Sequence, residues 1–102
     1  MFDLEFTFTA RIWLWTAEKA SWHFVTLPKE NADQVKMFQP SRRGFGSVKV
    51  DVQIGETQWS TSIFPSKETD SYILPIKAAV RKSEKLGLDE SVDLTIRLAS
   101  NL

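Results

Sequence analysis

The chain has 102 residues, of which 42% are hydrophobic and 25% are charged, and these values are typical of one globular domain. Thirteen basic residues balance 13 acidic ones, so the net charge gives no bulk reason to expect a nucleic-acid or membrane partner. The chain has no cysteine, which excludes disulfides, thiolate metal sites and cysteine nucleophiles. No signal peptide or membrane span is readable, and we expect a cytoplasmic protein.

The first predicted element is a long strand from Phe2 to Leu14, because apolar residues occupy every even position. Trp13 and Trp15 on its odd face indicate that the far end of this strand is covered on both sides. A hairpin loop leads to a second strand over 20–27. Pro28 ends that strand, and a short helix is predicted from Glu30 to Phe38.

The remaining elements follow the same patterns of alternation and breaking residues. The predicted elements are strands over 48–54, 57–64 and 72–74, a helix from Ile76 to Leu86, and a last strand over 92–98. Ala79 is expected on the apolar face of this second helix, and Gly87, directly after it, is expected to form the left-handed C-cap.

The order of elements suggests that one unit is present twice. Leu27-Pro28 and Leu74-Pro75 end equivalent strands 47 residues apart (74 − 27), so one half runs over about 2–54 and the other over about 57–98. We therefore predict a mainly β domain, a small six-stranded closed or split β-barrel with a pseudo-twofold repeat and two short helices. Closure removes unpaired strand edges. An open β-sandwich is the alternative.

Four motifs occur in order along nearly the whole chain: WHFVTLP (22–28), RRGFGSVKV (42–50), WSTSIFP (59–65) and YILPIKAAVRK (72–82). With these motifs the chain resembles the bacterial Domain of Unknown Function family nineteen-oh-five (DUF1905), although the glycine usual before the last strand is replaced near 88–91. The resemblance implies a small β-barrel, distantly related to antitoxin barrels and sometimes found beside a YdeI/OmpD-associated domain. It implies no reaction, ligand, cofactor or catalytic residue.

A basic stripe lies on the second predicted helix. Lys77, Arg81 and Lys85 recur at every fourth position and therefore share one helix face. Such a stripe is usually a solvated face opposite the core. The functional interpretation is an anion site, with Arg42 and Arg43 of the loop after the first helix as further ligands, because arginine suits phosphate.

The tryptophans and the hydroxyl-rich strand over 57–64 offer a second set of candidates. Most tryptophans are expected in the core, and two or more exposed together would mark a ligand or partner surface. Trp59 and Ser62 lie on this strand, one face of which could line a shallow pocket. Polar strand faces are more often simply solvated.

No residue set supports catalysis. His23 is the single histidine and, beside Trp22 in a strand, is interpreted as a structural hydrogen-bonding group rather than a general base. The segment over 43–50 begins like an RNA-recognition signature, but Ser47 and Val50 stand where that motif needs aromatics. No metal set, Walker loop or dinucleotide motif is present, so no cofactor is expected.

We therefore expect a non-enzymatic binding or accessory module whose partner is a protein or a small anionic ligand. The alternative is nucleic-acid or anion binding through the basic second helix and the Arg42-Arg43 loop. An undescribed enzyme that uses His23 or the hydroxyls over 60–62 ranks last.

Overall fold

The computed structural model describes residues 4–38 and 46–98. Within these ranges the protein is mainly β, with seven antiparallel strands that form a half-barrel and with two helices. The strands are β1 (Leu4–Arg11), β2 (Trp13–Ala17), β3 (Ala20–Thr26), β4 (Val48–Ile54), β5 (Thr57–Ser66), β6 (Ser71–Pro75) and β7 (Ser91–Leu98), and the helices are α1 (Lys29–Phe38) and α2 (Ala78–Glu84).

The strands follow one another in the order β1-β7-β4-β5-β6-β3-β2. β5 is long enough to pair twice: residues 57–63 pair with β4, and residues 64–66 pair with β6. It therefore joins a part of the sheet made of β1, β7 and β4 to a part made of β6, β3 and β2. The consecutive strands β1 and β2 lie at the two ends of this order.

The long first strand predicted from the alternation is two strands in the structure, which raises the count from six to seven. The interruption is Ile12, whose N–H donates to the Glu90 carbonyl at 3.0 Å and whose carbonyl accepts from the Asp89 N–H at 2.9 Å. The Ile12 side chain is fully buried. The chain bends here because β1 pairs with β7, whereas β2 pairs with β3.

Alternating residues of the strands build the core on the concave side of the sheet. In β4 the four apolar residues from Val48 to Ile54 are all buried, and β7 repeats the pattern from Val92 to Leu98. Helix α1 adds the fully buried Ala32 and Val35, and α2 adds Val80. Phe38, at the end of α1, also packs against the core.

The second helix is shorter than predicted, because residues on both sides of it leave the helical conformation. Lys77 has an extended backbone (φ −70°, ψ 160°), and Lys85 adopts the left-handed conformation (φ 55°) that was expected of Gly87. The Lys85 N–H closes the helix on the carbonyls of the preceding turn. Gly87 instead donates its N–H to the Glu90 carboxylate. Ala79, expected inside, is exposed.

The convex side of β1, β7 and β4 is polar. Thr7 bonds Thr95 at 3.0 Å, and the Arg97 guanidinium reaches Glu5 and Gln53, each at 3.2 Å. These cross-strand contacts are what a solvated sheet face requires. Neither helix in the described ranges has the length and apolar character needed to cross a membrane.

Candidate binding cleft

A cleft of about 370 Å³ opens between the start of β3 and the start of α2. The register brings these elements together, since Phe24 of β3 pairs with Pro75 at the end of β6, directly before the helix. The Ile76 N–H then donates to the His23 carbonyl at 2.9 Å. The cleft is lined by Ala20, Ser21, Trp22, His23, Pro75, Ile76, Lys77, Ala78 and Arg81.

Two cations of α2 and its N-cap line this cleft. The Arg81 Nε donates to the Ile76 carbonyl at 3.1 Å, which holds the guanidinium against the start of the helix. Within the described ranges, neither Lys77 nor Arg81 forms a salt bridge. The first turn of α2 contains no acidic residue. The cleft therefore carries positive charge that no carboxylate of the described chain neutralises.

His23 lies beside these cations and is half-buried. Its Nδ1 is enclosed and has no hydrogen-bond partner within the described part of the chain. Burial, and then the positive charge of Arg81, lower the pKa of His23 below its usual value. The imidazole is therefore mostly neutral at pH 7. Its Nδ1 does not make the hydrogen bond that was predicted for a structural histidine.

Trp22 joins the cleft to a second feature, an aromatic surface on the convex side of β2, β3, β6 and β5. We call this surface the aromatic face and define it by Trp13, Trp15, Trp22, Phe24 and Phe64. Trp15 pairs with Trp22 and Trp13 pairs with Phe24 across β2 and β3. The ring of Phe24 lies 5.2 Å from that of Trp13 and 6.5 Å from that of Trp22.

Phe64 belongs to the same face by register. It pairs with Ile73, and Ile73 pairs with Thr26, whose hydroxyl accepts a 2.9 Å hydrogen bond from the Trp13 indole. The exposed fraction is 47% for Trp15, 53% for Trp22 and 43% for Phe64. The expectation that the far end of the first strand is covered on both sides was therefore wrong.

The remaining residues proposed from the sequence lie away from the cleft. Trp59 pairs with Val52 and packs against the core from the concave side. Ser62 pairs with Lys49 on the opposite side of that strand. Lys85 forms the C-cap of α2 and does not line the cleft.

Arg42 and Arg43 lie outside the described residues. Of the basic residues predicted to form an anion site, the structure thus brings Lys77 and Arg81 together. It adds Trp22 and His23, which the sequence analysis did not place with the basic stripe. Within the described ranges, no group of three or more His, Asp or Glu side chains is placed to hold a metal ion.

Comparison with known proteins identifies the family of the chain. No curated protein matches the chain. The family model described as "Domain of unknown function (DUF1905)" matches residues 8–96, which include all of the cleft and nearly all of the sheet. The chain therefore belongs to the DUF1905 family.

Proposed function

We propose that this domain is a non-enzymatic binding module that holds an anionic group, a phosphate or a carboxylate, in the cleft between β3 and α2. The observation that carries the proposal is that Lys77 and Arg81 line one cleft without an acidic partner in the described chain. Guanidinium and ammonium groups form strong charge-assisted hydrogen bonds with oxyanions. A small ligand or a protein partner in the cytoplasm could provide the anionic group.

The other residues of the cleft favour a ligand with an apolar part beside its charge. Trp22, Pro75 and Ile76 offer apolar surface next to the two cations. No carboxylate is among the described residues that line the cleft, so His23 has no acidic residue there to orient it. This composition favours binding over catalysis.

We also propose that the half-barrel is a doubled unit closed into a six-stranded barrel. In this interpretation β1 and β2 count as one strand bent at Ile12, equivalent to β5. The proposal is supported by the pairing of β3 with β6 and of β4 with β7, each of which joins a strand of one half to the equivalent strand of the other. The polar bonds of Ile12 with the 89–90 segment link the bend to the rest of the sheet.

The doubled unit offers an internal comparison for the anion site. The equivalent of His23, 47 residues later, is Asp70 (70 − 23), whose carboxylate bonds Lys29 at 3.3 Å and Lys36 at 3.2 Å. Both lysines lower the pKa of Asp70. The cations of α1 thus have an internal carboxylate where α2 has a neutral histidine, and this difference supports an external anion as the ligand of Arg81.

The test is a titration of the ¹⁵N-labelled protein with pyrophosphate, followed by amide chemical shifts. We expect saturable shifts at residues 20–23 and 76–81. Arg81→Glu should weaken binding by at least about tenfold, because one charge-assisted hydrogen bond contributes roughly 1.5–3 kcal/mol. Lys82→Glu is the matched control: it makes the same charge change on the same helix, at a residue that does not line the cleft.

Two results would contradict the proposal. One is the absence of saturable shifts in the wild-type protein. The other is an equal loss of affinity in Arg81→Glu and Lys82→Glu, which would mean that the anion responds to the overall charge of the helix and not to the cleft.

A further inference from the structure

The aromatic face and the cleft meet at Trp22, and together they identify a class of ligand. We propose that the domain binds single-stranded nucleic acid, with a phosphate in the cleft and bases stacked on the aromatic face. This inference rests on the proposed function, because the same anion site holds the phosphate. It adds that the apolar part of the ligand is a series of planar rings.

The exposed rings are arranged as stacking requires. Trp15 and Trp22 pair directly on neighbouring strands, and about half of each side chain is open to solvent. Both strands are locked by pairing, and the Trp13 indole is fixed by its bond to Thr26, so the platform loses little entropy on binding. Stacking of a base on an aromatic side chain contributes roughly 1–3 kcal/mol and tolerates any base.

The size of the face argues against a second copy of the chain as the partner. Each of the three exposed rings leaves about half of its surface open, and an aromatic side chain covers about 150–250 Å². Together they offer roughly 300 Å². A stable protein interface needs about 800 Å² from each partner. An area of this size instead suits two or three bases.

Charge favours a phosphate in the cleft over one on the other side of the sheet. Lys77 and Arg81 line the cleft together with Trp22 and have no salt-bridge partner among the described residues. The convex side of β1, β7 and β4 has no net positive charge, because three carboxylates are matched by three cations: Glu5, Asp51 and Asp93 against Arg11, Lys49 and Arg97. The cations without an acidic partner therefore lie next to the aromatic face.

The test measures fluorescence anisotropy of a labelled oligothymidylate, beside the pyrophosphate titration. Trp15 does not line the cleft, so Trp15→Ala should weaken oligothymidylate binding about tenfold and leave pyrophosphate affinity unchanged. Trp15→Phe should retain most of the affinity because it keeps a stacking ring. Met37→Ala is the control: it removes an exposed apolar side chain, 80% accessible, on α1 and should have no effect.

Salt dependence gives a second measurement. Binding of a single strand should weaken as salt rises, with a slope of about −0.7 for each phosphate contact, and Arg81→Gln should reduce that slope by about one contact. If Trp15→Ala fails to fold, Phe64→Ala and Arg81→Gln still separate stacking from charge, because Phe64 is exposed on the aromatic face and does not line the cleft.

The outcomes distinguish this inference from the proposed function. If pyrophosphate binds and oligothymidylate does not, or if Trp15→Ala and Met37→Ala behave alike, the nucleic-acid inference is overturned while the anion site stands. If polyglutamate binds as tightly as oligothymidylate and Trp15→Ala does not alter either affinity, the inference is also overturned. If neither anion binds, both proposals fail.

Discussion

Replacing Ile12 by alanine should destabilise the domain more than any change at an exposed residue of the β2–β3 hairpin. The side chain is fully buried at the bend between β1 and β2, and its backbone is bonded on both sides to the 89–90 segment. Alanine removes three carbon atoms, each worth about 0.8 kcal/mol of burial. The cavity left behind adds to this, so the expected loss of unfolding free energy is about 3–4 kcal/mol.

Such a loss is a large share of the roughly 5–15 kcal/mol that stabilises a domain of this size. It corresponds to a fall in Tm of roughly 12–30 °C. Urea unfolding followed by tryptophan fluorescence should show a lower midpoint with an unchanged slope. Leu14→Ala is the control, since Leu14 is two residues away and 38% exposed, and it should cost about 1 kcal/mol or less.

The reasoning is refuted if Ile12→Ala costs no more than Leu14→Ala. That result would mean that the bend is held by its backbone hydrogen bonds and not by the buried side chain. Ile12→Val should cost about 0.5–1.5 kcal/mol, less than Ile12→Ala, because it removes a single buried carbon atom.

Three further changes test single contacts. The folded protein disfavours the charged form of His23, so the neutral imidazole should stabilise the fold above pH 6.5, and this stabilisation should be lost as pH falls. An NMR titration of His23 should give a pKa below 6.5 in the wild-type protein and a higher pKa in Arg81→Gln. A wild-type pKa at the ordinary value would contradict the prediction. Lys85→Gly should raise the free energy of unfolding by about 0.5–1 kcal/mol, because glycine adopts the left-handed backbone without strain. A lower free energy of unfolding, measured by urea denaturation, would refute that explanation. The buried Ser71 hydroxyl donates to the Leu27 carbonyl at 2.8 Å, so Ser71→Ala should lower the free energy of unfolding by about 1–2 kcal/mol, whereas a neutral result would mean that the carbonyl finds another donor.

Much of the sheet could be predicted from the sequence because its strands are buried on one side only. Alternating apolar residues gave the bounds of β4 correctly and those of β7 to within one residue. The bend at Ile12 could not be predicted, because an apolar residue at an even position fits an uninterrupted strand equally well. What breaks the strand is a contact with residues 89–90, far along the chain.

The candidate site was harder to predict because it depends on the register between β3 and β6. The spacing of Lys77, Arg81 and Lys85 predicts the basic stripe, but it does not show that Arg81 lies near His23. That contact depends on the pairing of Phe24 with Pro75, which spacing along one helix does not reveal. The exposed tryptophans were misassigned for a related reason. Trp15 and Trp22 fit a covered convex face as well as an open one, and the part of the chain that the structure describes provides no helix over them.

The pairing of β1 with β7 has a consequence for synthesis of the protein. β1 leaves the ribosome before the other strands of the domain, yet its hydrogen-bonded partner β7 is the last of them, with Leu4 opposite Leu98. The first strand must therefore stay unpaired while nearly all of the domain is translated. Contacts so distant in sequence fold slowly, and an unpaired apolar strand is open to association with other chains during that interval. We expect nascent chains that end before β7 to depend on chaperones, and the domain to fold only once β7 has left the ribosome.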